Sequence, residues 1–184
     1  MTIKKLSTPQ VPLNIFKLAV LVSGRGSNLQ AIMDSIDREE LDAHLSIVIS
    51  NTKDAMALKR AEKHEIKTIF IDPSNYSSSK EYDKALVLKL KEFSIDLICL
   101  AGYMRILGEE IIQTFEKKII NIHPSLLPAF PGLNAQKQAI NHGVKFSGCT
   151  VHFVDSGVDS GPIILQTVVP VYDNDDEKSL SKRI

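Results

Sequence analysis

The chain has 184 residues, 43% of them hydrophobic, and is therefore long enough to form one domain with a single sizeable core. Lys plus Arg and Asp plus Glu each number 22, and this balance excludes the strong overall field expected of a protein that binds nucleic acid or an anionic membrane surface. No segment is long and apolar enough for a signal peptide or a membrane span, so we expect a cytoplasmic protein with no membrane partner.

Residues 1–16 are predicted to form a poorly ordered leader, after which short apolar runs alternate with segments of helical period. The runs are KLAVLV, LSIVIS, KTIFI, DLICLA and KIINI. Between the third and fourth runs, Tyr82, Leu86 and Leu90 recur at helical spacing, and Ser78 with Glu81 is typical of a capping box. Strands that alternate with helices predict a parallel sheet.

The pattern changes after Pro131. A short helix over NAQKQAINHG precedes two strand-like runs, CTVHFV and PIILQTVVPV, which the turn-rich DSGVDSG connects. These runs predict an antiparallel edge, and DNDDEK predicts the start of a last, solvated helix. The chain is thus predicted to be a single domain over residues 1–184 with an α/β fold. Its sheet would be open, mostly parallel and doubly wound (Rossmann-like), with helices on both faces and an antiparallel edge in the C-terminal half.

The end of the first strand, LVSGRGSNLQAI, is the first candidate site. Its glycines permit a tight turn, its serine is a candidate helix cap, and the free N–H groups at a helix start suit a phosphate. A dinucleotide site would need a small residue in place of Leu29 and an acid near Ser50 and Asn51, which argues against NAD. The alternative is an ordinary turn.

The segment LAGYMRILGEE follows the fourth strand and is a candidate apolar slot. Small residues at the strand end would let a flat ligand approach the backbone, and four apolar side chains would line the slot: Tyr103, Met104, Ile106 and Leu107. Ordinary packing between strand and helix is the alternative interpretation.

The fifth run ends in IINIHPSLLPAFPG, which carries two polar side chains on one face. Strand side chains alternate, so Asn121 and His123 point the same way. Together they could stabilise and protonate an oxyanion, whereas the alternative is a histidine satisfied by backbone and an asparagine in a turn. Prolines at 124, 128 and 131 would stiffen the exit loop, and any one of them could follow a cis bond.

Asp159 and His152 complete the candidate residues. An acid among small residues, as in DSGVDSG, is usually turn chemistry, and His152 could face the same cleft or pack in the core. No metal is expected, because no pair among the histidines and acids of this half has a recognisable ligand spacing. Cys99 and Cys149 also match no metal or redox spacing, which predicts buried free thiols in a reducing compartment.

The chain resembles a known protein family in four motifs, which occur in this order: SGRGSNLQAI, LAGYMRIL, NIHPSLLPAFPG and GCTVHFVDSGVDSGPIILQ. It is similar to the folate-dependent phosphoribosylglycinamide formyltransferases, from the first strand to Pro170. The resemblance implies formyl transfer from 10-formyltetrahydrofolate, as a co-substrate, to the amine of glycinamide ribonucleotide in purine biosynthesis. It further implies a phosphate-binding half over 17–116, a catalytic and folate-binding half over 117–184, and a monomer or homodimer.

The resemblance also implies roles for individual residues. The catalytic residues would be Asn121, His123 and Asp159, with His152 in support. The phosphate of the ribonucleotide would bind Gly26, Ser27 and Asn28, and the folate would bind Met104, Arg105, Ile106 and Leu107 together with Asn121. The segment Asn134–Lys137 departs from the histidines of many relatives, and the family continues through a C-terminal helix in which this chain stops. Two alternative functions are a 10-formyltetrahydrofolate hydrolase, disfavoured by Pro124, and a non-catalytic folate or nucleotide binder.

Overall fold

The computed structural model of the chain describes residues 15–184, and within them seven strands form one sheet flanked by six helices. The leader predicted over residues 1–16 lies outside the described residues except for its last two positions. The strands are β1 (Lys17–Val22), β2 (His44–Ser50), β3 (Thr68–Phe70), β4 (Leu97–Leu100), β5 (Ile119–His123), β6 (Phe146–Phe153) and β7 (Ile163–Pro170). The helices are α1 (Ser27–Asp37), α2 (Met56–Lys63), α3 (Ser79–Glu92), α4 (Glu109–Thr114), α5 (Ala135–Asn141) and α6 (Glu177–Arg183), with a short 3₁₀ turn over Pro73–Asn75.

The strand order is β3, β2, β1, β4, β5, β6, β7. The first five strands in this order pair in parallel, whereas β6 runs antiparallel to both β5 and β7. The predicted parallel sheet with an antiparallel C-terminal edge is therefore confirmed. The order reverses at β1, which has β2 on one side and β4 on the other.

Alternating side chains of the central strands divide the core between the two faces of the sheet. Leu21 and its neighbours pack with α3 and α4, whereas Val20 and its neighbours pack with α1 and α2. Because these parallel strands are buried on both sides, they consist almost entirely of apolar residues. This arrangement confirms the doubly wound fold.

Helix α3 begins as the sequence predicts, with one change in its cap. Ser78 is the N-cap, and its side chain accepts from the backbone N–H of Glu81. The Glu81 carboxylate, however, accepts from the backbone and hydroxyl of Ser77. The capping box is thus displaced by one residue, and it still satisfies the first turn of the helix.

Helix α6 forms where the acidic run predicts it. The prediction that this helix is solvated is wrong for one of its faces. Asp176 and Ser179 form a reciprocal capping box, and Leu180 is fully buried. The helix therefore packs one face onto the domain, next to α5. Among residues 15–184, no helix combines the length and the apolar character needed to cross a membrane.

Candidate active site

The carboxyl ends of β1 and β4 meet where the strand order reverses, the place at which open α/β sheets bind ligands. The backbone N–H of Ser23 donates to the carbonyl of Gly102 at 3.1 Å, which joins the two exit loops. The Ser23 hydroxyl accepts from the backbone N–H of Met104 at 2.8 Å and donates to the Asn51 side chain at 2.5 Å. Ser23 thus links the loops that leave β1, β2 and β4.

The predicted phosphate loop leads into the start of α1. Gly26 has φ of +74°, and a Cβ there would lie 2.6 Å from the Cβ of Ala57, so only glycine fits. The prediction of a serine cap is wrong, because Gly26 itself is the N-cap and Ser27 is the first residue of the helix. No side chain of the described residues caps this helix. Its first N–H groups, beside exposed Ser27 and Asn28, can therefore receive an anion.

Alternate residues after β4 point in opposite directions. Tyr103 and Leu107 are buried at 9% and 6% exposure, whereas Met104 and Ile106 are 68% and 75% exposed. Arg105 lies between them, with its guanidinium 4.5 Å from the ring centre of Tyr82. The segment therefore offers two apolar side chains to a ligand while the others hold it to the protein. Its predicted role in folate binding stays a prediction.

The structure brings Asn121, His123, His152 and Asp159 together. Asn121 and His152 are cross-strand partners in the β5–β6 pair, and the turn after β6 carries Asp159 to the same place. His123 Nδ1 lies 3.1 Å from Asp159 Oδ2, and Asn121 Nδ2 lies 3.3 Å from Asp159 Oδ1. The His123 and Asp159 side chains are only 5% and 12% exposed. Asp159 is thus in contact with both polar residues of β5.

Hydrogen-bond acceptors surround the His123 ring. Its Nε2 donates to the carbonyl of Phe130 at 2.8 Å, and its Nδ1 faces the Asp159 carboxylate. A carbonyl and a carboxylate both accept, so the geometry favours a proton on each ring nitrogen, the arrangement of an imidazolium beside a carboxylate. Sequence reasoning missed Phe130, because its contribution is a backbone carbonyl.

A second imidazole contacts the same amide and the same acid. His152 Nδ1 donates to the carbonyl of Phe153 at 2.9 Å. Its Nε2 lies 3.2 Å from Asn121 Nδ2, which can donate to it, and 3.5 Å from Asp159 Oδ1. The second hydrogen of that amide points to Asp159. The amide orientation is fixed, because the reverse orientation would place the Asn121 oxygen against a carboxylate.

The turn after β6 holds Asp159 in a strained conformation. Its φ is +52°, which is uncommon for a residue other than glycine and typical of functional sites. Asp155 shapes the turn by accepting from the N–H of Gly157 and the hydroxyl of Ser160. The N–H of Gly132 donates to Asp159 Oδ2 at 2.8 Å, a second backbone contact that the sequence does not indicate.

The proline-rich loop after β5 is fixed by side chains from the antiparallel edge. The Leu127 N–H donates to the Thr150 hydroxyl, which itself donates to the carbonyl of Ser125, and Gln166 donates to the Leu127 carbonyl. The Leu127–Pro128 bond is the cis bond that the sequence left open. This scaffold holds the Phe130 carbonyl and the Gly132 N–H in place.

An apolar groove of about 450 Å³ lies on the other face of the sheet, between α1 and the strands β4, β5 and β6. Its apolar lining includes Ile120 and Ile122, whose side chains alternate with those of Asn121 and His123, and it also reaches Asn28 of the predicted phosphate loop and Asn121 of the polar cluster. Of the two cysteines, Cys99 is buried beside this groove, whereas Cys149 is only half buried, contrary to prediction. Burial raises the pKa of the Cys99 thiol to about 11. Within residues 15–184, no group of three or more histidine, cysteine or acidic side chains is arranged to hold a metal ion.

Comparison with known proteins gives concordant matches. The model of the formyl transferase family matches residues 16–184. The phosphoribosylglycinamide formyltransferase of Bacillus subtilis is 41% identical over 168 residues, which are 91% of this chain and 86% of that protein. A crystal structure of glycinamide ribonucleotide transformylase 1 from Symbiobacterium toebii superposes with a TM-score of 0.91 at 48% identity, covering 92% of this chain and 80% of that chain.

Longer proteins match as well. The human trifunctional purine biosynthetic protein adenosine-3 is 49% identical over 168 residues, which are 91% of this chain and 17% of that protein. The corresponding Drosophila melanogaster protein is matched over 13% of its length, so the chain spans less than a fifth of these relatives. The family match over nearly all the described residues, supported by closely similar proteins of comparable length, establishes that the chain belongs to the formyl transferase family.

Proposed function

We propose that this chain transfers the formyl group of 10-formyltetrahydrofolate to the amine of glycinamide ribonucleotide. The products are N-formylglycinamide ribonucleotide and tetrahydrofolate, in de novo purine biosynthesis. Membership of the formyl transferase family and the names of the relatives support the reaction class. Three places serve the two substrates: the start of α1 for the phosphate, the segment 104–107 for the folate, and the cluster around Asp159 for the chemistry.

The observation that carries the proposal is the contact of His123 Nδ1 with Asp159 Oδ2 at 3.1 Å, with the Phe130 carbonyl at the opposite ring nitrogen. Formyl transfer from one nitrogen to another passes through a tetrahedral oxyanion and needs no covalent enzyme intermediate. A fixed positive charge in a site with little solvent stabilises such an anion more strongly than it would in water. The burial of both side chains meets this condition.

The proton balance of the reaction requires a carrier. When the amine attacks the formyl carbon, its nitrogen becomes positive and the carbonyl oxygen becomes negative. One proton must then leave the attacking nitrogen and reach N10 of the folate, so that the C–N10 bond can break. The His123 and Asp159 side chains, 3.1 Å apart, are placed to relay it, a role typically worth about two to four orders of magnitude in rate.

Asn121 supplies a donor for the oxyanion. Both hydrogens of its amide are engaged, and the contact with Asp159 at 3.3 Å is the longer of the two. We expect this hydrogen to turn to the oxyanion, because such contacts tighten in the transition state. A comparable donor is worth roughly 3 to 4 kcal/mol in other enzymes.

A single assay tests the function. The purified protein is incubated with 10-formyltetrahydrofolate, with and without glycinamide ribonucleotide, and the folate absorbance is followed. Folate consumption that depends on the ribonucleotide is expected. Equal consumption without it would instead identify a hydrolase, and no consumption in either case would identify a binding protein.

The phosphate assignment has its own test. Ser27→Ala should weaken binding of the ribonucleotide more than binding of the folate, because the exposed hydroxyl lies at the N-terminus of α1. Isothermal titration calorimetry with each substrate measures both affinities. An equal effect on the two would contradict the assignment.

The compartment and the assembly are part of the same proposal. The free thiols Cys99 and Cys149 suit a reducing compartment, which supports action in the cytoplasm. The proposed assembly is a monomer or a homodimer. Light scattering of the active protein distinguishes the two states.

A further inference from the structure

We infer that Asp83 of α3 is a positioning residue for the formyl donor, because it fixes the segment 103–108 from behind. This inference rests on the proposed function, which assigns the folate to that segment. Asp83 has no predicted role in the sequence and does not touch the polar cluster. Asp83 is only 3% exposed, which is rare for an acidic residue.

Asp83 contacts the segment through its last residue. Its Oδ2 accepts from the backbone N–H of Gly108 at 2.7 Å. Gly108 is the N-cap of α4, so the carboxylate also lies near the start of that helix. A Cβ at Gly108 would lie 2.5 Å from the same oxygen, so a side chain there would push the carboxylate away from this contact.

The neighbouring residue on α3 holds the rest of the segment. The Tyr82 hydroxyl is 2.9 Å from that of Tyr103, and both rings are buried. The Tyr82 ring also supports the Arg105 guanidinium at 4.5 Å. Two consecutive residues of α3 therefore secure positions 103, 105 and 108.

These anchors alternate with the residues that face outward. Met104 and Ile106 are the exposed members of the segment, and each lies between two held or buried neighbours. A segment fixed in this way presents its apolar side chains without losing conformational freedom on binding, which improves affinity. Burial also raises the pKa of the Asp83 carboxyl, against the opposing effect of the Gly108 N–H.

The test compares two changes on opposite sides of one contact. Asp83→Ala removes the acceptor, and Gly108→Ala pushes a methyl group against it with no penalty from φ, which is −80°. Each should weaken binding of tetrahydrofolate about tenfold or more in calorimetry and change binding of glycinamide ribonucleotide by less than about twofold. Asp83→Asn keeps an oxygen that accepts and should recover most of the affinity.

The double variant sharpens the result. When Asp83 is shortened to alanine, a methyl group at position 108 has space. The loss of tetrahydrofolate affinity in the double variant should therefore be well below the sum of the two single losses. Hydrogen exchange of peptides covering residues 101–108 should speed up in Asp83→Ala and stay slow in Asp83→Asn. The control is Glu92→Ala, an exposed acid of the same helix that pairs with Lys89.

The outcomes separate this inference from the proposed function. If the unaltered protein neither binds tetrahydrofolate nor consumes the formyl donor, the proposed function fails. If it does both, and Asp83→Ala and Gly108→Ala leave the tetrahydrofolate affinity unchanged or weaken both ligands equally, the positioning role of Asp83 is overturned. Should Asp83→Ala fail to fold, Gly108→Ala and Asp83→Asn still decide the question.

Discussion

His123 Nδ1 lies 3.1 Å from Asp159 Oδ2, although His123 ends β5 whereas Asp159 lies between β6 and β7 and adopts a left-handed conformation. The Phe130 carbonyl at the opposite ring nitrogen accepts a hydrogen bond, which favours a proton on both nitrogens and an ion pair with Asp159. Because both side chains are largely buried, solvent screens the pair only weakly. The charge on His123 therefore depends on Asp159.

We expect Asp159→Asn to lower kcat by about two to four orders of magnitude. An asparagine can still accept from the Gly132 N–H, but it presents no charge, so His123 would remain neutral. The melting temperature should change little, because the turn keeps its hydrogen bonds. Steady-state kinetics and thermal unfolding measure the two effects.

Asp155→Asn is the matched control for this change. It alters an acid of the same turn that accepts from Gly157 and Ser160 and, among residues 15–184, forms no ion pair with a histidine. Activity should stay within about threefold of the original protein, since an amide oxygen preserves the turn. Similar losses in both variants would mean that the turn, and not the charge, controls activity.

His152 should act through Asn121. Its Nε2 accepts one amide hydrogen, so His152→Ala frees the amide to rotate. In a double-mutant cycle with Asn121→Ala, the effects on kcat/KM should be non-additive by on the order of 1 to 2 kcal/mol. The exposed His64 serves as a control, and His64→Ala should combine additively with Asn121→Ala. An additive result for His152 as well would contradict its role.

The proposed phosphate loop should be sensitive to substitution of Gly26 and tolerant of substitution of Gly24. Gly26→Ala places a Cβ at φ of +74° and 2.6 Å from Ala57, so it should lower the free energy of unfolding by roughly 1 to 3 kcal/mol and weaken ribonucleotide binding. A Cβ added at Gly24, by contrast, would have no heavy atom within 4 Å apart from those of its chain neighbours. Gly24→Ala should therefore change the stability by less than about 0.5 kcal/mol in urea unfolding. A comparable cost at both positions would rule out this account.

The contribution of the Asp175 carboxylate, which contacts Arg183 of α6, to the free energy of unfolding should depend on pH. The Arg183 guanidinium, followed by the Tyr172 N–H, holds the pKa of Asp175 well below its usual range. A lowered pKa in the folded state means that the unfolded state binds more protons as the pH falls. The stability contributed by Asp175 is therefore complete above its unfolded pKa of about 3.9 and is lost as the pH falls below it.

Asp175→Asn tests this dependence. The difference in urea midpoint between the original protein and Asp175→Asn should be full at neutral pH and should shrink below about pH 4. Asp173→Asn is the control, since Asp173 is 91% exposed and pairs with Lys145 at the surface. A difference for Asp175 that is unchanged at pH 3 would exclude the ion pair as its source.

The sequence alone determined the core and the direction of the β5 side chains. Parallel strands buried on both faces require continuous apolar runs, so β1 to β5 are visible as such. The period of two in a strand fixed Asn121 and His123 on one face without any tertiary information. The helix α3 and the antiparallel edge were likewise predictable, because capping and turn residues mark their ends.

Only the tertiary structure decided what these side chains contact. The β5–β6 register sets His152 opposite Asn121, and the turn that follows brings Asp159 to His123. The proton on His123 depends on the carbonyl of Phe130, and a backbone group leaves no mark in a residue pattern. Asp83 was missed for a related reason, since its partner is the N–H of Gly108 and its burial follows from how α3 packs. Periodicity is a local property of the chain, whereas hydrogen-bond partners and burial depend on which distant segments the fold brings together.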